Sequence, residues 1–242
     1  LGHDYEKSIL LYGDGIGKVE YVEHMGTDLT VVNSARVSFG KHKEDLEERD
    51  EKLINYLIKH RHTSTLEHCS VTFRFKVPLF ARSQHHRHRT WSYNEISRRY
   101  TDFNIEFYEP QFYRTQHDKN RQASNVDEVC NPRLKLYDPA CSHPIDRFAT
   151  EIVASHHKQS LKLFDDLMDG GVCREQARGI LPQNMYTEYY GTVNLNNLLK
   201  FIDLRTHSGA QWEIQKMAKA CMEIATDLWP VTVGAYQDLR QK

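Results

Sequence analysis

Polar and apolar positions along this chain change period several times, and each change marks an expected element. In SVTFRFKVP (70–78), Val71, Phe73, Phe75 and Val77 take every second place, which predicts a half-buried strand. Pro78 ends it and suits a first helical turn. PLFARSQHHRHR (78–89) is therefore predicted to be helical, with Gln84, Arg87 and His88 on one face at i, i+3 and i+4. Before it, KSILLYG and GKVEYVEHMG flank glycine-rich punctuation and predict an opening hairpin. Asp28 is placed to cap a helix over LTVVNSARVS, and Leu46, Leu53, Ile54, Leu57 and Ile58 fall on one side of a second over KEDLEERDEKLINYLIKH.

The C-terminal half is more helical. DRFATEIVASHHKQSLKLFDDLMDGG predicts a long helix stopped by Gly170 and Gly171, and VCREQARGIL a shorter one halted before Pro182. Asn194 suits the cap of LNNLLKFIDL. The last strong helix, AQWEIQKMAKACMEIATDLW, lines up Ile214, Met217, Cys221, Ile224 and Leu228 and ends before Pro230. Residues 102–143 carry the weakest pattern and are expected to form a long excursion or lid. With no repeat or linker, the expectation is one α+β domain over 1–242, a small central sheet with surrounding helices.

Composition narrows the class. The 242 residues are 39% hydrophobic and 27% charged, as in ordinary soluble proteins. A formal net charge of −1 advertises no general affinity for polyanions, so no stable nucleic-acid partner is expected. No apolar run approaches the ~18 residues of a membrane span, and no membrane partner is expected. Five scattered cysteines without a CxxC suggest reduced thiols and a cytoplasmic location. The opening LGHDYEKSILLYGDG has no signal-peptide pattern, and its Leu start suggests a processed or replaced terminus.

Candidate chemistry starts with 14 histidines. His60, His62 and His68, and then His85, His86 and His88, lack HExxH or CxxC spacing, and Cys130, Cys141 and His143 are loosely spaced. Arginines beside His88 oppose a divalent cation, so no metal is expected. Cys69 follows His68 but begins the alternating strand, which favours core packing over catalysis, and the chain has no Pro-Cys-His. What remains is RHRTWSYNEISRRY (87–100), where arginines alternate with Trp91, Tyr93, Glu95 and serines in what reads as a loop after the helix. A solvated helix face, a single-strand groove and a site for a small anion all fit such a run, and planar arginine forks suit phosphate.

Arg87-His88-Arg89, seven residues, then Ser97 resembles the RHR-x7-S signature of the flavin-dependent thymidylate synthases. SARVSFG, LIKHRHTSTLEH, NEISRRY and QARGILPQNMYTEYYGTVNLNNLLKFIDLRTHSGAQWEIQ are similar to further segments of that family, in order, from about residue 28 to 230. The resemblance implies conversion of dUMP to dTMP with methylenetetrahydrofolate as carbon donor, FAD as redox carrier and NADPH as reductant. It also implies a homotetramer and no cysteine nucleophile. By position it places Arg87, His88, Arg89, Ser38, Ser64 and Asn194 at flavin contacts, with Glu95 and Asn196 near the flavin or shared between ligands. Gln84, Ser97, Arg99 and Arg178 match nucleotide contacts, as do Arg87 and Glu95 at the shared border. Arg205 matches the arginine on the uracil ring, and His62 and Tyr100 lie beside the reaction centre.

Three positions depart from the pattern: Lys200 where a flavin-contacting His or Asn is frequent, Thr65 for Pro, and Gly209 for His. Lys can donate to a flavin or phosphate oxygen but not accept. A related methylase or hydroxymethylase of another uracil nucleotide is the alternative within enzymes. A single-stranded nucleic-acid-binding module is the alternative outside them.

Overall fold

The alternating strand forms the middle of the molecule. In the computed structural model, which describes residues 5–102, 104–136 and 144–240, β3 (Ser70–Pro78) buries Val71, Phe73, Phe75 and Val77. Full burial of each such side chain is worth roughly 1.5–3 kcal/mol. The opposite face is polar: Arg74 pairs with Glu188 at 2.5 Å and Lys76 with Glu106 at 2.5 Å. The opening hairpin is present as β1 (Ser8–Leu10) and β2 (Lys18–Met25). All pairings are antiparallel in a five-stranded sheet of order β1-β2-β3-β9-β4, in which β4 is Ser92–Glu95 and β9 is Tyr186–Asn194.

Two of those strands depart from the sequence expectation. SYNE, expected as loop, is β4 (Ser92–Glu95), and the unassigned YTEYYGTVN is β9 (Tyr186–Asn194), which pairs β3 along nine residues. Gly191 makes this packing possible: a Cβ there would lie 2.9 Å from the Phe75 ring and 3.2 Å from Trp91. Glycine and three tyrosines break a simple hydrophobic alternation in β9, so its period is visible only once paired.

The helices pack on the apolar face, except those over 149–169 and 174–177, which build a second cluster of Phe164, Ala177, Leu181 and Met185. They are α1 (Asp28–Arg36), α2 (Glu48–Lys59), α3 (Leu79–His85), α4 (Ala149–Asp169), α5 (Arg174–Ala177), α6 (Leu195–Thr206), α7 (Trp212–Leu228) and α8 (Pro230–Arg240). The stripe of α7 is buried as expected, and Asn194 Oδ1 accepts from Asn197 N at 2.9 Å to cap α6. Leu46 precedes α2, and Asp146 to Phe148 belong to a strand before α4. Asp28 does not cap its own helix, where Thr27 holds the N-cap. Its buried carboxylate accepts from Val231 N (3.1 Å), Thr232 N (2.9 Å) and Thr232 Oγ1 (2.5 Å), satisfying the first turn of α8 instead.

The region expected as an excursion holds one hairpin-like pair and the first strand of a second. β5 (Tyr113–Gln116) pairs β6 (Ser124–Cys130), and β7 (Arg133–Leu136) pairs β8 (Ile145–Phe148). Cys141 and His143 lie outside the described residues. Together the elements make a mixed α/β fold around a small antiparallel sheet. No described helix is long and apolar enough to cross a membrane.

Candidate active site

The helix begun at Pro78 stops at His85, four residues before the expected end. His86 and Arg87 turn, with His88 N donating to His85 O at 2.9 Å, and the chain returns as β4. Gln84, Arg87 and His88 therefore do not share a helical face. The turn is forced by what lies under it. The His85 ring is fully buried against Phe75, Trp91 and Phe201 at centroid distances of 4.8, 4.4 and 4.7 Å. Tyr93 OH donates to the carbonyls of His85 (2.8 Å) and His88 (3.2 Å). With His85 and Trp91 pinned inside, Arg87 and Arg89 are left exposed and His88 half-buried.

His88 meets Arg205, at the end of α6. Arg205 Nε donates to His88 Nε2 at 3.0 Å and Nη2 donates to the Gln84 carbonyl at 3.2 Å. A ring nitrogen that accepts from a guanidinium carries no proton, so His88 is neutral with its proton on Nδ1. Burial, and then the Arg205 charge, hold the His88 pKa down at about 4. Burial also lowers Arg205, helped by Arg87. The guanidinium is thus half out of water and oriented at two points, and its other donors make no hydrogen bond among the described residues.

A second cationic group lies on Ser97–Tyr100 and α5. Arg99 N donates to Ser97 Oγ at 3.2 Å, and its guanidinium stands 3.6 Å from Glu175 and over the Tyr100 ring at 5.8 Å. Arg178 Nε donates to the Glu175 carbonyl at 3.4 Å, while Arg174 pairs with Asp102 at 2.5 Å. Arg98, read with Arg99 as part of one cluster, turns inward and is buried. Among the described residues, no hydrogen bond or ion pair joins this group to that of Arg205.

Two of the matched flavin positions, Asn196 and Lys200, line a separate cavity, while Arg87, His88 and Arg89 stay with the Arg205 group. Asn196 is buried and donates to Glu67 at 2.9 Å, joining α6 to the 3-10 turn Thr63–His68, where Ser64 is exposed. The cavity, of about 400 Å³, is lined by Arg61, Thr63, Asn196, Lys200, Asp203 and Arg240, among others. Thr65, standing where Pro is usual, keeps the turn by donating Oγ1 to the His62 carbonyl at 3.1 Å. His62 and Ser38 are exposed, Ser38 between Val37 and Phe39, which are 71% and 79% exposed. Glu95 on β4 accepts from Arg82 Nε (3.0 Å) and Thr187 Oγ1 (2.6 Å). Asn194 is occupied in part by its capping bond.

Comparison with known proteins decides what this assembly is. The sequence model described as thymidylate synthase complementing protein matches residues 20–231. The chain belongs to the flavin-dependent thymidylate synthase family. It is 38% identical over 222 residues to the flavin-dependent thymidylate synthase of Thermus thermophilus, covering 92% of this chain and 76% of the relative. The same name and identity hold for a Thermotoga neapolitana protein, over 91% of this chain and 90% of the relative. Among solved structures, the UMP/dUMP methylase PolB from Streptomyces cacaoi bound with 5-Br dUMP superposes with a TM-score of 0.77. It shares 31% identity, over 95% of this chain and 97% of that one.

For this family member, sequence reading left four anchoring side chains without a role: Glu67, Arg174, Gln211 and Glu213. Gln211 and Glu213 lie in the quoted AQWEIQ segment, and Glu213 adjoins the apolar stripe of α7 while itself 3% exposed. A carboxylate next to a buried stripe is the signal that would have found it, because such a charge must be paired.

Proposed function

We propose that this flavin-dependent thymidylate synthase family member methylates dUMP to dTMP, taking the carbon from methylenetetrahydrofolate and the reducing equivalents from NADPH, with FAD as redox carrier. The observation carrying the reading is the oriented, half-buried Arg205 held by a neutral His88 and the Gln84 carbonyl. For carbon 5 of uracil to attack a one-carbon unit, negative charge must grow on the pyrimidine. A fixed cation stabilises it where it develops, at no cost of reorganisation. Arg99 and Arg178, with Ser97, supply exposed donors suited to the 5′-phosphate. FAD, when bound, would supply the two-electron chemistry that reduces the transferred carbon. The cavity's Arg61, Lys200 and Arg240, with the Asn196 carboxamide, fit an anionic dinucleotide, and Arg87, His88, Arg89, Ser38, Ser64, Asn194 and Glu95 are assigned to the same ligand.

The reading uses no cysteine nucleophile. Burial pushes the Cys69 thiol up to about 12 and raises Cys221 as well, which suits both to the core. His62 and Tyr100 are assigned to the edge of the reaction centre. Assembly as a homotetramer in the cytoplasm is part of the proposal: among the described residues no hydrogen bond or ion pair joins the Arg99–Arg178 pair to Arg205, and Val37, Phe39 and Tyr100 are largely exposed. A second copy would bring one group opposite the other and cover apolar surface. The neighbour PolB, also solved with 5-Br UMP, favours a second reading in which UMP is accepted too.

The test is a visible spectrum after FAD addition, then NADPH oxidation with dUMP or UMP and methylenetetrahydrofolate. A flavin band and dUMP-dependent oxidation with dTMP formed are expected. A colourless protein that binds single strands, or a trapped cysteine–dUMP adduct, would overturn the proposal.

A further inference from the structure

Glu213 is nearly inaccessible to solvent, yet three donors converge on it. Arg114 Nη2 (2.7 Å) and Tyr108 OH (3.1 Å) donate to Oε1, and Gln211 Nε2 donates to Oε2 at 3.0 Å. Gln211 Oε1 in turn accepts from Gln84 Nε2. These bonds form a one-way chain. An ionised carboxylate only accepts, so Gln211 must turn its NH2 to Glu213 and its oxygen to Gln84. Gln84 must then spend an N–H on Gln211, and its own Oε1 takes no hydrogen bond among the described residues. Arg114 pairs with the Glu213 carboxylate at 2.7 Å and also lies over the Trp212 ring at 4.8 Å, so the start of the chain is fixed.

The other end reaches the proposed nucleotide pocket, because Gln84 is also the residue whose main-chain carbonyl accepts from Arg205. A free glutamine can present either its oxygen or its NH2 to a ligand. Gln84 cannot: flipping it would set NH2 against NH2 or oxygen against oxygen somewhere along the chain. Its oxygen is a permanent acceptor. Uracil carries a donor at N3, whereas cytosine carries an acceptor lone pair there.

We infer that Glu213 and Gln211 are positioning residues that lock the Gln84 carboxamide as a fixed acceptor and thereby select a uracil over a cytosine ring. The inference rests on the proposed placement of the pyrimidine beside Gln84 and Arg205. It adds a specificity device reaching through α7 to Arg114 and Tyr108, outside the matched ligand positions. A site built to pair one donor pattern rejects the opposite one because its own buried group is left unpaired.

The test measures dissociation constants of dUMP and dCMP for the FAD-loaded protein and for Gln211→Met and Glu213→Gln. Gln211→Met frees Gln84 to flip, at a half-buried helix N-cap where a side chain of similar length fits. Glu213→Gln lets position 213 donate, so the chain can run in either direction. In both variants the dUMP-over-dCMP preference should narrow about tenfold or more, with dUMP weakened only a few-fold. A merely structural role would weaken both nucleotides together and leave their ratio unchanged, and that result overturns the inference. So does a ratio unaltered in Gln211→Met when Glu213→Gln fails to fold. Failure of the unsubstituted protein to bind dUMP would instead overturn the proposed function beneath it.

Discussion

The two arginine groups use the same side chain in opposite ways. Arg205 is half-buried, donates to His88 and to the Gln84 carbonyl, and is held above a packed aromatic floor. Arg99 and Arg178 are exposed on a short turn and a 3-10 segment, resting loosely on Glu175. Burial strengthens every interaction Arg205 makes and fixes its direction, which suits charge stabilisation on a reacting ring. Exposure leaves the other pair screened by solvent, which suits capture of a doubly charged phosphate. One group is built for direction, the other for attraction.

Substitutions should separate the two. Arg205→Ala should have the largest effect, lowering the rate of dTMP formation by about two to three orders of magnitude while FAD is retained. Single-turnover methylation with absorbance of the bound flavin checks it, and near-normal turnover would erase the distinction. Arg178→Ala or Arg99→Ala should instead raise the dUMP dissociation constant about tenfold, with the rate at saturation changed little. Titration at two ionic strengths should show the salt dependence shrinking in these variants, since a lost phosphate contact leaves less to screen.

Acid should act on the buried group alone. His88 is held down at about 4, below an ordinary histidine near 6.5, so the unfolded chain binds its proton first. Between those values the unfolded state holds more protons, and stability falls as pH drops through the window. His85, lowered by burial, adds to the same trend. Protonated His88 also loses its bond to Arg205. The expected outcome is a melting temperature that falls from pH 6.5 toward 4, with a smaller fall in His88→Gln. Equal slopes would show that His88 is not the neutral acceptor. The smallest change expected is from Glu175→Ala, which removes a carboxylate competing for Arg99. It should tighten dUMP about twofold, as an exposed pair contributes only about 0–1 kcal/mol.

How legible each region was follows from its physics. The strand at 70–78 and the stripe of α7 were readable because burial on one side imposes a period on the sequence. β9 was not, since buried tyrosines paired with polar partners and a glycine under two rings obey packing rather than period. The early end of α3 was equally hidden. Nothing in HHRH marks a stop; His85 and Trp91 meeting the same pocket does. Asp28 was read for its own helix because capping is judged locally, while its partners lie about two hundred residues away.

The sequence by itself determined the family, through ordered segments along most of its length, and it marked the asparagine that caps α6. It also determined the main helices and the central strand, whose periods report a single buried face. Only the tertiary structure decided the direction of each polar group. That Arg205 finds a neutral imidazole, that Glu213 anchors a line of amides ending at Gln84, and that the two arginine groups stand apart depends on partners distant in the chain. Hydrogen bonds have a donor end and an acceptor end, and a string of residue names does not say which way they run.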